Sequence, residues 1–114
     1  FGFKYIIENH GIDKESAYPY TAKNGVCHFR ESEVGAKISS YKDVLPRHSE
    51  TSLQQAVAEI GPVSVAIDAS STYFRYYKKG VLVDHKCSSN PLDHGVLAVG
   101  YGSEDSQDYW LVKN

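Results

Sequence analysis

Two apolar segments near the end of the chain, Leu92-Asp93-His94-Gly95-Val96-Leu97-Ala98-Val99-Gly100-Tyr101-Gly102 and Asp108-Tyr109-Trp110-Leu111-Val112-Lys113-Asn114, are joined by a polar link, and few folds accept that pattern. The first is a run of small and β-branched residues too continuous to alternate, which reads as a buried strand. The Gly-led link Gly102-Ser103-Glu104-Asp105-Ser106-Gln107 predicts an antiparallel hairpin folded about residue 104. Partners in such a pair have a constant index sum, so His94 is expected opposite Asn114 to within about one residue. Directly opposed side chains share a face, with Cβ atoms roughly 4.5–5.5 Å apart, so an imidazole and a carboxamide can hydrogen-bond there. An Asn orienting a His is the base-and-orienter half of a nucleophilic site. A core histidine satisfied by a neighbouring amide accounts for the same spacing.

The 114 residues are 41% hydrophobic and 23% charged, enough apolar material for one domain and too much for a disordered composition. A net charge of −2 gives no basic footprint for nucleic acid or an anionic membrane. No apolar run approaches the roughly 20 residues of a membrane span, and the residues from Phe1 onward do not read as a leader. Nine tyrosines stand against no methionine, a bias that half-buried loop packing accommodates as well as a polymer-binding surface does.

Along the chain, Phe3, Ile6 and Ile7 fall at helical spacing with no cap before them and Gly11 as a stop, like the tail of a helix begun elsewhere. Residues 11 to 27 read as loop around Tyr18-Pro19-Tyr20 and Asn24-Gly25, and Val34 to Tyr41 as a short strand. The clearest helix begins at Ser49 or Glu50, carries Leu53, Ala56, Val57 and Ile60 on one face, and ends at Gly61-Pro62. Val63 to Asp68 follows as a strand, Ser70 to Tyr77 as a short helical or turn segment, and Gly80 to Val83 as a further strand. An α+β fold with a largely antiparallel sheet or barrel fits this order.

Cys27 and Cys87 lie sixty residues apart, and their spacing alone does not separate free thiols from a bridge. Neither has the ligand spacing of a metal site, nor stands at a helix start where a thiol is activated. No metal and no cofactor is expected. His10, His28, His48 and His85 have no motif around them and read as solvated.

These segments resemble the papain family of cysteine endopeptidases, and within it the cathepsin L branch. The resemblance is carried by Gly11-Ile12-Asp13 through Tyr18-Pro19-Tyr20, Gly61-Pro62-Val63-Ser64-Val65-Ala66-Ile67-Asp68, Cys87-Ser88-Ser89, Leu92 to Gly102 and Tyr109 to Asn114. It implies a papain-like α+β fold made mostly of the antiparallel β-barrel domain. Residues 1–30 would end the helical-domain region, and 31–114 would form the β-rich domain. It also implies that His94 is the catalytic histidine and Asn114 its orienting asparagine, and that Ala66, Leu92 and Gly95 line the main specificity pocket. Asp93 would stand at the cleft rim.

The family's nucleophilic cysteine and oxyanion-hole glutamine lie in a half that would precede Phe1, and strands completing the barrel would follow Asn114. The chain alone is therefore expected to be inactive. Cys27 and Cys87 would each pair with a cysteine in an absent segment and not with one another. The implied partners are peptide or protein substrates, the nucleophile-bearing remainder of the enzyme, a propeptide and a cystatin-type inhibitor. The implied setting is a zymogen-derived enzyme that is lysosomal or secreted. Sponge silicateins resemble cathepsin L but carry Ser as nucleophile and act in silica deposition and filament formation; this half of the sequence fits them also. A non-catalytic member of the fold is the least favoured alternative, because His94 and Asn114 are both kept.

Overall fold

Helix and strand boundaries in the computed structural model, which describes residues 1–114, follow the caps and breakers of the sequence. The chain divides into two units, Phe1–Asp43 and Val44–Asn114.

In the first unit, α1 (Gly2–Glu8) ends when His10 N–H donates to Ile7 O and Gly11 N–H to Ile6 O, at 3.1 and 2.9 Å. These are the paired bonds of a Schellman ending. The sequence points to Gly11 as the stop, yet His10 takes the left-handed conformation, at φ 57°. Gly11 is needed for a different reason, since a Cβ there would collide with the Val34 side chain. β1 (Ile12–Asp13) pairs antiparallel with β2 (Val34–Ala36). The strand expected to reach Tyr41 stops at Ala36, because β1 is only two residues long and offers no further partners. Beyond it, Tyr41 stacks on Phe3 with ring centroids 5.9 Å apart.

In the second unit, Ser49 caps α2 (Glu50–Glu59) by accepting a hydrogen bond from the Ser52 amide at 3.1 Å. Gly61-Pro62 then releases the chain into β3 (Val63–Ile67), and Ser71 caps the single turn α3 (Thr72–Arg75). β4 (His94–Glu104) and β5 (Gln107–Lys113) complete an antiparallel sheet of order β3-β4-β5. Residue alternation directs Val96 and Ala98 of β4 to the side where α2 contributes Ala56 and Val57, and these four are the buried apolar residues.

The antiparallel sheet expected from the sequence is present, but it is open and not a closed barrel. Closure requires the last strand to pair back on the first, and three strands leave β3 and β5 as edges. Gly80–Val83, expected as a strand, pairs with nothing and runs as a bend and coil. Leu111 is left 57% exposed, so β5 has apolar surface with no cover in these residues.

The hairpin loop is shorter than its polar link suggested. Strand pairing continues to Glu104 opposite Gln107, so only Asp105 and Ser106 turn the chain, both left-handed at φ 48° and 64°. Two positive φ angles in a row make the tight turn that matches strand twist, and it favours Asn or Asp followed by Gly. Asp105 suits it and Ser106 does not. Ser106→Gly is therefore expected to stabilise the fold by about 0.5 kcal/mol, the net of relieved backbone strain and added unfolded-state entropy. The readout is a higher denaturant midpoint at unchanged slope in the complete protein.

Candidate active site

His94 opens β4 directly opposite Ile67, the last residue of β3. It shares the face of Val96 and Ala98, so its backbone is anchored by the core while its ring, half-buried, sits at the core's edge. Asp93 fixes the approach to the strand in two ways. Its amide donates to Ile67 O at 3.1 Å, and its carboxylate Oδ1 accepts from the Ala69 amide at 2.8 Å. Phe74 stands edge-on to the imidazole, with centroids 6.0 Å apart and planes at 72°.

Asn114 reaches the same place from β5. The hairpin pairs Glu104 with Gln107 and Gly100 with Leu111, but beyond an unpaired Val99 the register becomes Ala98 with Val112 and Leu97 with Lys113. Val99 is thus a bulge. Continued by one residue, this register sets Asn114 beside Val96, two positions along β4 from His94. The direct opposition expected from the sequence is corrected accordingly, because the turn lies beyond residue 104. A displacement of two keeps both side chains on one face, where diagonal neighbours remain within reach. The two side chains meet, with His94 Nε2 and Asn114 Oδ1 2.8 Å apart. With the carboxamide oxygen as partner, Nε2–H is the donor, and Nδ1 remains free to take or give a proton.

The other residues singled out by the sequence are distributed around this pair. Ala66 lies directly opposite Gly95, and the space above Gly95 is open. Alternation turns this couple to the face opposite that of His94. Leu92 is 43% exposed just before the strand. A depression of about 310 Å³ beside His94 is lined by Ala69, Phe74, Arg75 and Asp93, and not by Ala66, Leu92 or Gly95. Nothing in the sequence singles out Ala69, Phe74 or Arg75, since residues 70–77 read only as a short helical or turn segment. The Ser71 cap, whose hydroxyl accepts from the Phe74 amide at 3.2 Å, is the signal that sets Phe74 in place. A larger depression of about 530 Å³, around Leu82 and Trp110, touches neither His94 nor Asn114.

Cys27 and Cys87 are both free and exposed. The Phe29 amide, followed by the Tyr5 hydroxyl at 3.6 Å, holds the Cys27 thiol below its ordinary pKa, and the same contact raises that of Tyr5. Near Cys87, Asp68 ties two loops together. Its carboxylate accepts from the Ser70 hydroxyl at 2.6 Å, the Ser70 amide at 3.0 Å and the Ser88 amide at 3.0 Å. Those bonds, the Ser70 hydroxyl foremost, lower its pKa.

Comparison with known proteins identifies the family. The model for papain family cysteine proteases matches residues 1–114. The chain is 54% identical over 112 residues to digestive cysteine proteinase 2 of Homarus americanus, covering 98% of this chain and 34% of that protein. It is 52% identical over 115 residues to a cathepsin L-like peptidase of Aedes aegypti, covering 100% of this chain and 34% of that one. Among solved structures, digestive procathepsin L 3 of Tenebrio molitor larval midgut superposes with a TM-score of 0.88 at 46% identity, over 98% of this chain and 36% of that one. The chain therefore belongs to the papain family of cysteine proteases, in its cathepsin L-like branch. It spans about a third of the length of the curated relatives it matches.

Because the folded-state pKa of Asp68 is depressed, its loop tie is complete above the usual aspartate value of about 3.9 and is lost as pH falls through the lower folded value. Amide exchange should show Ser88 protected equally from neutral pH down to about 4 and progressively less below it. Asp68→Asn should lower that protection throughout the range.

Proposed function

We propose that these residues supply the acid–base half of a cathepsin L-like cysteine endopeptidase, with His94 as proton carrier and Asn114 as its orienter. The observation that carries this reading is the 2.8 Å contact between His94 Nε2 and Asn114 Oδ1, which leaves Nδ1 to face a nucleophile. That nucleophile is a cysteine outside the present sequence, held as thiolate beside the His94 imidazolium. The thiolate attacks the peptide carbonyl, forming a C–S bond. As the C–N bond breaks, Nδ1–H of His94 protonates the departing amine. The neutral ring then takes a proton from water, whose oxygen attacks the acyl carbon. The C–S bond breaks and the thiolate is restored.

Ala66, Gly95 and Leu92 form one wall of the pocket for an apolar side chain two residues upstream of the cut, and Asp93 belongs to the cleft rim. Supporting this are the direct Ala66–Gly95 pairing, the open space above Gly95 and the exposed apolar Leu92. The remainder of the enzyme supplies the opposite wall and covers the apolar surface at Leu111. Cys27 and Cys87 form disulfides with cysteines outside this sequence, a role suited to two exposed thiols of which one has a lowered pKa. The digestive names of the lobster and mealworm relatives, and the procathepsin form of the latter, support a secreted or lysosomal enzyme made as a zymogen. A propeptide and cystatin-type inhibitors are its protein partners in this reading.

The test is made on the complete enzyme with a thiol-directed peptide epoxide bearing an apolar residue. One modified cysteine outside residues 1–114, with loss of peptide cleavage, is the expected result. An enzyme left unlabelled contradicts the reading and fits a serine nucleophile of the silica-depositing kind. His94→Ala should lower kcat by about 10²- to 10⁴-fold, the usual worth of a positioned acid–base group. Asn114→Ala should cost less, about 10-fold, as for one exposed hydrogen bond to a charged ring.

A further inference from the structure

We propose that Arg75 makes the depression beside His94 selective for an acidic side chain on the first residue after the cut, an inference that rests on the peptidase reading above. The amine that His94 protonates belongs to that residue. Its side chain starts one atom beyond the nitrogen, so it must lie against whatever surrounds the ring. The acyl-side position assigned to Ala66, Leu92 and Gly95 is further away by at least one Cα–Cα step of about 3.8 Å, and it opens on the other face of the sheet. What remains beside the ring is the depression of Ala69, Phe74, Arg75 and Asp93.

The charges in that depression favour an anion. Arg75, at the end of α3, is exposed and has no carboxylate within ion-pair distance; the ion pair in this structure is Lys4–Glu8. Asp93 is the opposing charge, but its Oδ1 is committed to the Ala69 amide at 2.8 Å. In the acylation step His94 is an imidazolium. Two positive groups then face one negative group whose charge is partly spent on a backbone N–H. A guanidinium also offers a planar fork of donors to a carboxylate. Phe74, set edge-on to the ring, supplies an apolar floor for the methylene stem of a glutamate.

The experiment uses the complete enzyme and three fluorogenic peptides that differ only in carrying Glu, Gln or Lys directly after the cut. The quantity read is the ratio of kcat/KM for Glu over Lys, which cancels the amount of active enzyme. At low salt the ratio should be about two- to fivefold, as for an exposed ion pair, and it should shrink toward one near 1 M salt, where screening acts within about 3 Å. Arg75→Glu should invert the order of Glu and Lys. If that variant yields no active enzyme, Arg75→Gln should bring the ratio close to one. A wild-type ratio near one, or a ratio unchanged in either variant, overturns the proposal while leaving the peptidase reading intact. Failure to cleave any of the three peptides overturns both.

Discussion

The bulge at Val99 is the constraint on which the site depends. The turn at Asp105-Ser106 sets a register that, carried straight down the hairpin, would bring Asn114 opposite Leu97. Leu97 points away from the face that His94 occupies, so the two side chains would be separated by the sheet itself. One unpaired residue in β4 shifts the register by one and returns Asn114 to the face of His94, Val96 and Ala98. The hydrogen-bonded pair is thus a product of strand register before it is a product of side-chain chemistry.

The same register explains why the site lies at an edge. Ala98 is 1% exposed and Val96 8%, so the middle of β4 is fixed by packing under α2. His94, at the strand's first position, inherits that rigidity without full burial. Asp93 then binds the end of β3 at Ile67 and the segment after it at Ala69 to the residue just before the histidine. Phe74 is brought to the ring by a serine-capped turn in that segment. The imidazole is therefore bounded by a strand, a capped turn and a neighbouring strand's terminal carboxamide. That arrangement restricts ring rotation and fixes which nitrogen is presented.

Much of this was legible in the residues. The Ser49 cap, the apolar spacing of Leu53, Ala56 and Val57, and the Gly61-Pro62 break define α2 almost to the residue, because they act through local backbone physics. The association of His94 with Asn114 also followed from the hairpin, although the direct pairing inferred from it did not. The turn carried no Asn-Gly signature, and a bulge of one valine within an apolar run has no local sequence mark. Residues 80–83 carry strand-like composition but find no partner strand here, and pairing, not composition, decides a strand. The left-handed His10 was hidden by the adjacent glycine, which the fold uses to clear Val34. Arg75 and Phe74 could not be placed beside His94 from sequence, since nothing local relates a four-residue turn to a strand some twenty positions later.

The proposed role of the pair is tested most directly by the pH dependence of thiol alkylation in the complete enzyme, comparing wild type with His94→Ala. A nucleophile held as thiolate by the His94 imidazolium should react with iodoacetamide down to about pH 4, whereas the variant should gain reactivity only as pH approaches the free-thiol value of about 8.5. Coincident profiles for the two proteins, both rising near the free-thiol value, would contradict the assignment of His94 as the nucleophile's partner.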